Sequence, residues 1–315
     1  MPAEDGGAAV IGIDLGGTKC HGVLADRDGT ILQAVHRPTR YLPDPVDVLV
    51  DMIGDLRTGA RRAGRQVRAT AIGVPGVVDP RSGLVVGGGN VGWHELELTT
   101  SLADTVREPY LLENDVNLAG LGEARAGAGR GVGSLVVIAV GTGLGAAIVL
   151  GGELVRGARG AAGEIGFQLA DRRQLARPGR MGMEERVGGL AVAERARELG
   201  LAVDDTAGLF RAARRGDRQA CELVQDVIAH VAMTVADLAA VLDPDVVVLD
   251  GGIGRALAPF LPQLRELVAP SVLFPPELVV SALSPSAALV GAVTEAWRLA
   301  ERDADRDAGG VHAGG

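Results

Sequence analysis

Two glycine turns and one acidic tripeptide hold the residues best able to do chemistry in this 315-residue chain. The first turn is Asp14-Leu15-Gly16-Gly17-Thr18-Lys19, at the end of the apolar run Val10–Leu15. Glycines let a backbone approach an anion closely, and their amides, with the Thr18 hydroxyl, can cradle phosphate oxygens. Asp14 faces the same spot and can hold Mg²⁺, directly or through water. Val140-Gly141-Thr142-Gly143-Leu144-Gly145 stands in the equivalent place after a second apolar run. Each turn alone also reads as an ordinary hairpin. Two in matching positions point to a pair of loops closing on one polyphosphate from two sides. Neither is a Walker A loop or a Rossmann fingerprint, because no Gly-Lys-Ser/Thr and no immediate helix follows.

Three further groups complete the inventory. Asp250-Gly251-Gly252-Ile253-Gly254 follows a third apolar strand, and reads either as a backbone surface for an adenine or its ribose or as a helix-entry turn. Glu113-Asn114-Asp115 lies where a strand gives way to a helix. Asn and Asp favour helix N-caps, so either residue can cap this one. The chemical reading has Asp115 accepting a proton from a hydroxyl group while Asn114 fixes neighbouring hydroxyls. Phosphoryl transfer needs a positioned acceptor and charge stabilisation more than covalent help, so one carboxylate suffices. Asn90 with Trp93, Glu164 in Gly163-Glu164-Ile165-Gly166, and Glu185 are candidates for holding a polyol; singly, each also reads as an ordinary surface or turn residue.

The elements that must position these groups follow from periodicity. Val10–Leu15, Gly22–Ala25 and Ile31–Val35 read as strands, and Leu49, Met52, Ile53, Leu56, Ala60 and Ala63 place a helix over 46–63. Ala69–Val74 and Tyr110–Leu112 are further strands, the latter leading into a helix over 116–126. The strand–Gly/Thr turn–strand–turn–strand order then starts again at Leu135, a repeat of roughly 125 residues, too long for a solenoid and suited to two related domains. Helices over 185–199 and 217–242, the strand Val246–Leu249 and a last helix over 287–301 follow. The expected architecture is α/β, two sheets with a cleft between them.

Composition narrows the class. A net charge of −9, with Lys19 the only lysine, argues against a nucleic-acid surface. Any phosphate must therefore be held by backbone amides and a metal ion. Cys20 and Cys221 make neither a disulfide framework nor a zinc pattern. No signal-peptide pattern and no apolar run of membrane-spanning length is read, so a cytoplasmic protein is expected.

Taken together these residues resemble the ROK family (repressors, open reading frames and kinases) of the sugar kinase, actin and heat-shock ATPase superfamily, over roughly residues 10–300. The most specific matches are Ile11-Gly-Ile-Asp-Leu-Gly-Gly-Thr-Lys19, Gly73-Val-Pro-Gly-Val77, Asn90 with Trp93, Glu113-Asn-Asp115, Val140-Gly-Thr-Gly-Leu-Gly145 and Gly160-Ala-Ala-Gly-Glu-Ile-Gly166. The resemblance implies two ribonuclease-H-like domains of the actin and sugar-kinase type: residues 1–113 with 289–302, and residues 114–288, with 303–315 as a disordered tail. It further implies ATP-dependent phosphorylation of the primary 6-hydroxyl of a glucose-like hexose, with Asp115 as general base. By the same resemblance Asp14, Gly16, Gly17, Thr18, Lys19, Gly141, Thr142 and Gly143 serve the ATP phosphates and Mg²⁺, and Gly251 and Gly252 the nucleoside. Gly76, Asn90, Asn114, Glu164, Glu185 and the neighbouring Phe167 line the acceptor site. A homodimer or homotetramer is also implied.

One departure bears on the substrate. ROK kinases continue from Gly-Glu-x-Gly into a zinc-binding His that touches the sugar, where this chain has Phe167; they then carry Cys-x-Cys-Gly-x-x-Gly-Cys-x-Glu. Here the run 177–185 keeps the glycines and Glu185 but has no cysteine, and the histidines 21, 36, 94, 230 and 312 are scattered. No zinc site is therefore expected. Phe167 removes a hydrogen-bonding group and adds an apolar face, which keeps open a modified sugar, such as the amino sugar kanosamine, or a C7-cyclitol. A sugar-sensing regulator without catalysis is the third reading, disfavoured by both phosphate loops and Asp115.

Overall fold

The apolar run that ends at Leu15 becomes strand β1 (Ala8–Leu15), with seven of its eight residues buried. The structure, a computed structural model, describes residues 7–17, 19–39, 45–87, 95–96, 98–103, 105–176, 182–203 and 205–309. β2 (Lys19–Ala25) and β3 (Ile31–Pro38) fold back in an antiparallel meander. Helix α1 (Pro45–Arg62) buries Leu49, Met52, Ile53, Leu56 and Ala60, the spacing expected of one helical face. β4 (Gln66–Val74) then enters parallel to β1. Short strands β5 (Val77–Val78), β6 (Val85–Val86) and β7 (Glu95–Leu96) make a small separate sheet, followed by α2 (Leu98–Ala103). β8 (Tyr110–Asn114) pairs parallel with β4 and runs straight into α3 (Asp115–Ala126). The first sheet has the order β3-β2-β1-β4-β8.

The pattern then repeats. β9 (Ser134–Val140), β10 (Leu144–Leu150) and β11 (Glu153–Leu154) form a second antiparallel meander. After α4 (Glu184–Val187), α5 (Gly189–Glu198), α6 (Thr206–Arg214) and α7 (Arg218–Leu242), strand β12 (Val246–Asp250) joins β9 in parallel. α8 (Gly251–Ala256) and α9 (Leu261–Val268) lead to β13 (Glu277–Val280), and α10 (Ala287–Gly309) ends the described chain. The second sheet, β11-β10-β9-β12-β13, has the order and strand senses of the first. This is the doubled α/β architecture expected from the repeat, of the ribonuclease-H-like type that the family resemblance implies.

The chain divides into two compact units: residues 1–122 with 157–161 and 286–315, and residues 123–156 with 162–285. The boundary expected at residue 113 thus falls at 122, because α3 packs with the first unit: a Cβ on Gly291 of α10 would sit 1.8 Å from Leu118 O. In that unit the sheet lies between α1 on one face and α10 on the other. Gly22 faces Met52 and Leu56 of α1, and Gly12 faces Ala292 and Val293 of α10. The second unit has its own core, built on Val136, Ile138, Val247, Leu249 and the apolar face of α7.

Three expectations change. The single helix over 185–199 is broken at Gly188, which is extended (φ −63°, ψ 139°). The last helix continues past Asp303 to Gly309 instead of giving way to a tail, its Arg and Ala residues being good helix formers. Finally, α7 is by length and composition apolar enough to cross a membrane, contrary to the reading that no run qualifies. Its apolar residues Leu223, Val224, Val227, Ile228, Val231 and Val235 are buried in the core of the second unit.

Candidate active site

In the first unit the chemistry gathers at the C-terminal ends of β1, β4 and β8. Asp14 pairs with Gly73 of β4 on one side and with His21 of β2 on the other. A Cβ on Gly73 would lie 3.5 Å from Asp115 Cα and 3.0 Å from Leu118 of α3. Register partners share a face, so Asp14 points to the side of the sheet on which α3 begins. The bare backbone of Gly73 thus neighbours Asp14 within the sheet and the Asp115 backbone at the start of α3. Asp14 is pushed up to about 6 by burial, against a smaller opposing pull from Lys19. His21 is held below its ordinary value by burial first, then by His36 and Lys19, so it brings no positive charge to Asp14 at neutral pH. A carboxylate whose burial outweighs the pull of its neighbouring lysine is a fitting ligand for a divalent ion.

Asn114 and Asp115 divide the work at the start of α3. Asn114 Oδ1 accepts from the Asn117 amide at 3.0 Å, the bond that caps a helix, and Asn114 Nδ2 donates to Gly76 O at 3.0 Å. Asp115 Oδ1 accepts from the Val116 amide at 2.9 Å. Beneath them Glu113, almost fully buried, accepts from the Asn114 amide and from Asn117 Nδ2. Gly76 has φ +100°, a conformation open to glycine, which turns its carbonyl toward Asn114. In the β1–β2 turn, Gly16 N–H donates to Lys19 O at 2.9 Å, and Gly16 O accepts from the Thr39 hydroxyl at 2.6 Å. Gly17 and Lys19 are exposed there.

In the second unit the β9–β10 turn is built of backbone. Gly141 N–H donates to Gly143 O, while the amides of Thr142 and Gly143 have no acceptor among the described residues. Thr142 is exposed. Gly251 packs against the same turn: a Cβ there would lie 2.5 Å from Val140 O and 2.8 Å from Gly141 N, and its φ is +82°. Asp250 Oδ1 accepts from the Gly251 amide at 2.6 Å and fixes the start of α8. Around Gly252 there is open space. Glu164 precedes a short 3₁₀ turn, Ile165–Phe167, and its carboxyl is raised by burial first and then by Glu184. Phe167 is 52 % exposed. Glu185 is half-buried on α4.

This geometry can be set beside known proteins. The model of the ROK family matches residues 10–297. The chain belongs to the ROK family. It is a sugar kinase of that family, similar to the glucokinase of Thermotoga maritima (31 % identity, 90 % of this chain and 96 % of that one). Among solved structures it is similar to a ROK hexokinase from Thermus thermophilus, with a TM-score of 0.79, 30 % identity, and 93 % and 99 % of the two chains covered. A ROK glucokinase from Streptomyces griseus, in complex with glucose and AMPPNP, gives a TM-score of 0.75 and 30 % identity over 92 % and 99 % of the two chains.

In this ROK chain the expected residues fall into two groups. Asp14, Gly16, Gly17, Lys19, Gly76, Asn114 and Asp115 belong to the first unit, and Gly141, Thr142, Gly143, Glu164, Phe167, Glu185, Gly251 and Gly252 to the second. Thr18, Asn90, Trp93 and residues 177–181 lie outside the described residues. Sequence reading assigned no role to three supporting side chains. Glu113 and Asn117 stand at i, i+4, a spacing that lets their side chains meet, and that signal was available. Glu184, which accepts from the Leu144 amide at 2.8 Å, carried no signal beyond standing beside Glu185.

Proposed function

We propose that this ROK kinase uses ATP with Mg²⁺ to phosphorylate the primary 6-hydroxyl of a glucose-like hexose, with Asp115 as general base. The observation that carries the reading is the division of labour at α3. Asn114 supplies the helix cap, and Asp115 stands beside Gly73 on the face that Asp14 also occupies. An acceptor hydroxyl placed over that glycine floor would meet the Asp115 carboxylate, and its proton would pass to it as the oxygen attacks the γ-phosphorus. Asp14 would hold Mg²⁺, which neutralises phosphate charge when bound; the burial that raises Asp14 makes it gain from such a partner. The turn amides of Thr142 and Gly143 would take phosphate oxygens, and Gly251-Gly252 would receive the nucleoside. Glu164 and Glu185 would bind acceptor hydroxyls.

Phe167 supports a second reading. An aromatic ring 52 % exposed, three residues from Glu164, suits a modified sugar or cyclitol with an apolar or less hydrated edge. ADP release measured over a panel of glucose, mannose, amino sugars and cyclitols separates the two by the order of kcat/KM. Absence of turnover with every acceptor, together with absence of ATP binding, would remove both. We also propose that the site holds no zinc and that the chain forms a homo-oligomer. Metal analysis of the purified protein and light scattering test them.

A further inference from the structure

The segment Glu184–Leu190 grips the Gly141–Gly143 turn at three points. The Leu144 amide donates to Glu184 Oε2 at 2.8 Å, Gly189 N–H donates to Gly141 O at 2.9 Å, and Leu190 N–H to Thr142 O at 3.2 Å. The approach is backbone on backbone: a Cβ on Gly189 would lie 2.6 Å from Gly141 O. This is why the helix breaks at Gly188. The Glu184 side chain also lies against the turn that holds Glu164. A Cβ on Gly166 would stand 3.4 Å from both Glu184 Cβ and Oε2. β10 packs on this turn without an ionisable side chain, and α4 brings Glu184, Glu185 and Arg186. Of these, it is the charge of Glu184 that acts on Glu164.

We propose that Glu184 is a positioning residue that links the two ligand sites of the second unit, fixing the phosphate turn through a hydrogen bond and packing its carboxylate against the turn that carries Glu164. The inference rests on the reading of Glu164 as an acceptor ligand and of residues 141–143 as a phosphate turn. Its two halves separate chemically, because the hydrogen bond needs only an acceptor oxygen whereas the field needs a negative charge. Glu184→Gln keeps an oxygen for the Leu144 amide and removes the charge; Glu184→Leu removes both.

The sign follows from Glu164. Its carboxyl is held above the ordinary range, so it protonates early as pH falls, and the acceptor KM should rise on that side. In Glu184→Gln this rise should move to lower pH, leaving the acceptor KM about threefold below that of the parent protein on the acid side, with ATP affinity within about twofold. Glu184→Leu should show the same displacement and bind ATP about tenfold more weakly, measured by direct titration so that lost turnover does not hide it. An unmoved acceptor profile in Glu184→Gln, or unchanged ATP affinity in Glu184→Leu, overturns the coupling. Glu164→Gln is the control: it should flatten the pH dependence of acceptor KM. If it leaves that dependence intact, the assignment of Glu164 itself is wrong, and the coupling falls with it.

Discussion

The two sheets share strand order and strand sense, yet they place their carboxylates on opposite members of the equivalent rung. At the last pairing of the first sheet Asp14 of β1 stands beside Gly73 of β4; in the second, Ala139 of β9 stands beside Asp250 of β12. Asp250 is consumed by its own helix, accepting from the Gly251 amide. Asp14 is kept desolvated, with only a smaller opposing pull from Lys19. The first unit thus presents side-chain carboxylates, Asp14 and Asp115. At the equivalent place the second presents backbone, a turn braced by Gly188-Gly189 and Gly251, and its carboxylates Glu164 and Glu185 stand on separate elements. The two frames are similar, and in the proposed function different glycines and acids suit one to proton and metal chemistry and the other to anion binding.

The strongest test of that division is Asp115→Asn, which keeps the size of the side chain but not its basicity. In the proposed reading kcat falls roughly a hundredfold or more while the acceptor KM stays within about threefold. A variant that turns over near the parent rate would show that the first unit is not the seat of proton transfer.

Next in size is Asp14→Asn, which keeps the size of the side chain and removes the carboxylate from this rung. Burial raises Asp14 from 3.8 to about 6, so the folded state holds this proton more tightly than the unfolded chain does. Protonated Asp14 therefore favours folding below about pH 4, and that advantage is lost as pH rises through about 6. At pH 8 the parent protein bears a cost of about 2 to 3 kcal/mol that the Asn variant escapes. Denaturant unfolding at the two pH values should show the variant more stable at pH 8 and the gap nearly closed near pH 4, with kinase activity lower. Equal stability at both would mean that Asp14 is solvated in the absence of ligand.

The pair Gly251→Ala and Gly252→Ala tests the backbone side of the comparison. Gly251 is glycine for two reasons, its φ of +82° and the 2.5 Å gap to Val140 O. Its alanine variant should lose about 2 kcal/mol of stability and bind ATP more weakly. Gly252 has nothing within 4 Å, and alanine there should be neutral or slightly stabilising in the helix. Similar effects at both positions would contradict the close seating of α8 on the turn.

How much of this was legible in the sequence depended on the range of the contacts. Apolar periodicity placed β1, β4, β9, β12 and α7, because one buried face is enough to define a strand or helix. The glycine turns were legible because glycine clusters after apolar runs have few other uses. What stayed hidden came from long-range contacts. The break at Gly188 arises from a turn some 45 residues earlier in the chain, and no local rule distinguishes that glycine from an ordinary weak point in a helix. Glu184 takes its place from Leu144, 40 residues away. The unit boundary moved from 113 to 122 because Gly122 and Gly291 let α3 and α10 meet backbone to backbone. A spacing pattern read within one helix cannot show such a crossing.

The smallest effect separates two roles of one residue. Asn114 both caps α3, through Oδ1 to the Asn117 amide, and ties the strand end to Gly76 O through Nδ2. Asp250 caps α8 in the second unit. Asn114→Ser keeps a capping oxygen but cannot reach the Gly76 carbonyl, whereas Asn114→Ala loses both. The serine variant should therefore cost about 1 kcal/mol and the alanine variant about 2 kcal/mol in denaturant unfolding. The activity readout is sharper than the stability one. If the tie to Gly76 sets where Asp115 stands, the serine variant loses kcat although its helix is still capped. If capping alone matters, kcat follows stability, and only the alanine variant suffers. The second outcome would make Asn114 an ordinary helix cap, like Asp250, and would leave Asp115 to be positioned by Gly73 and Leu118 alone.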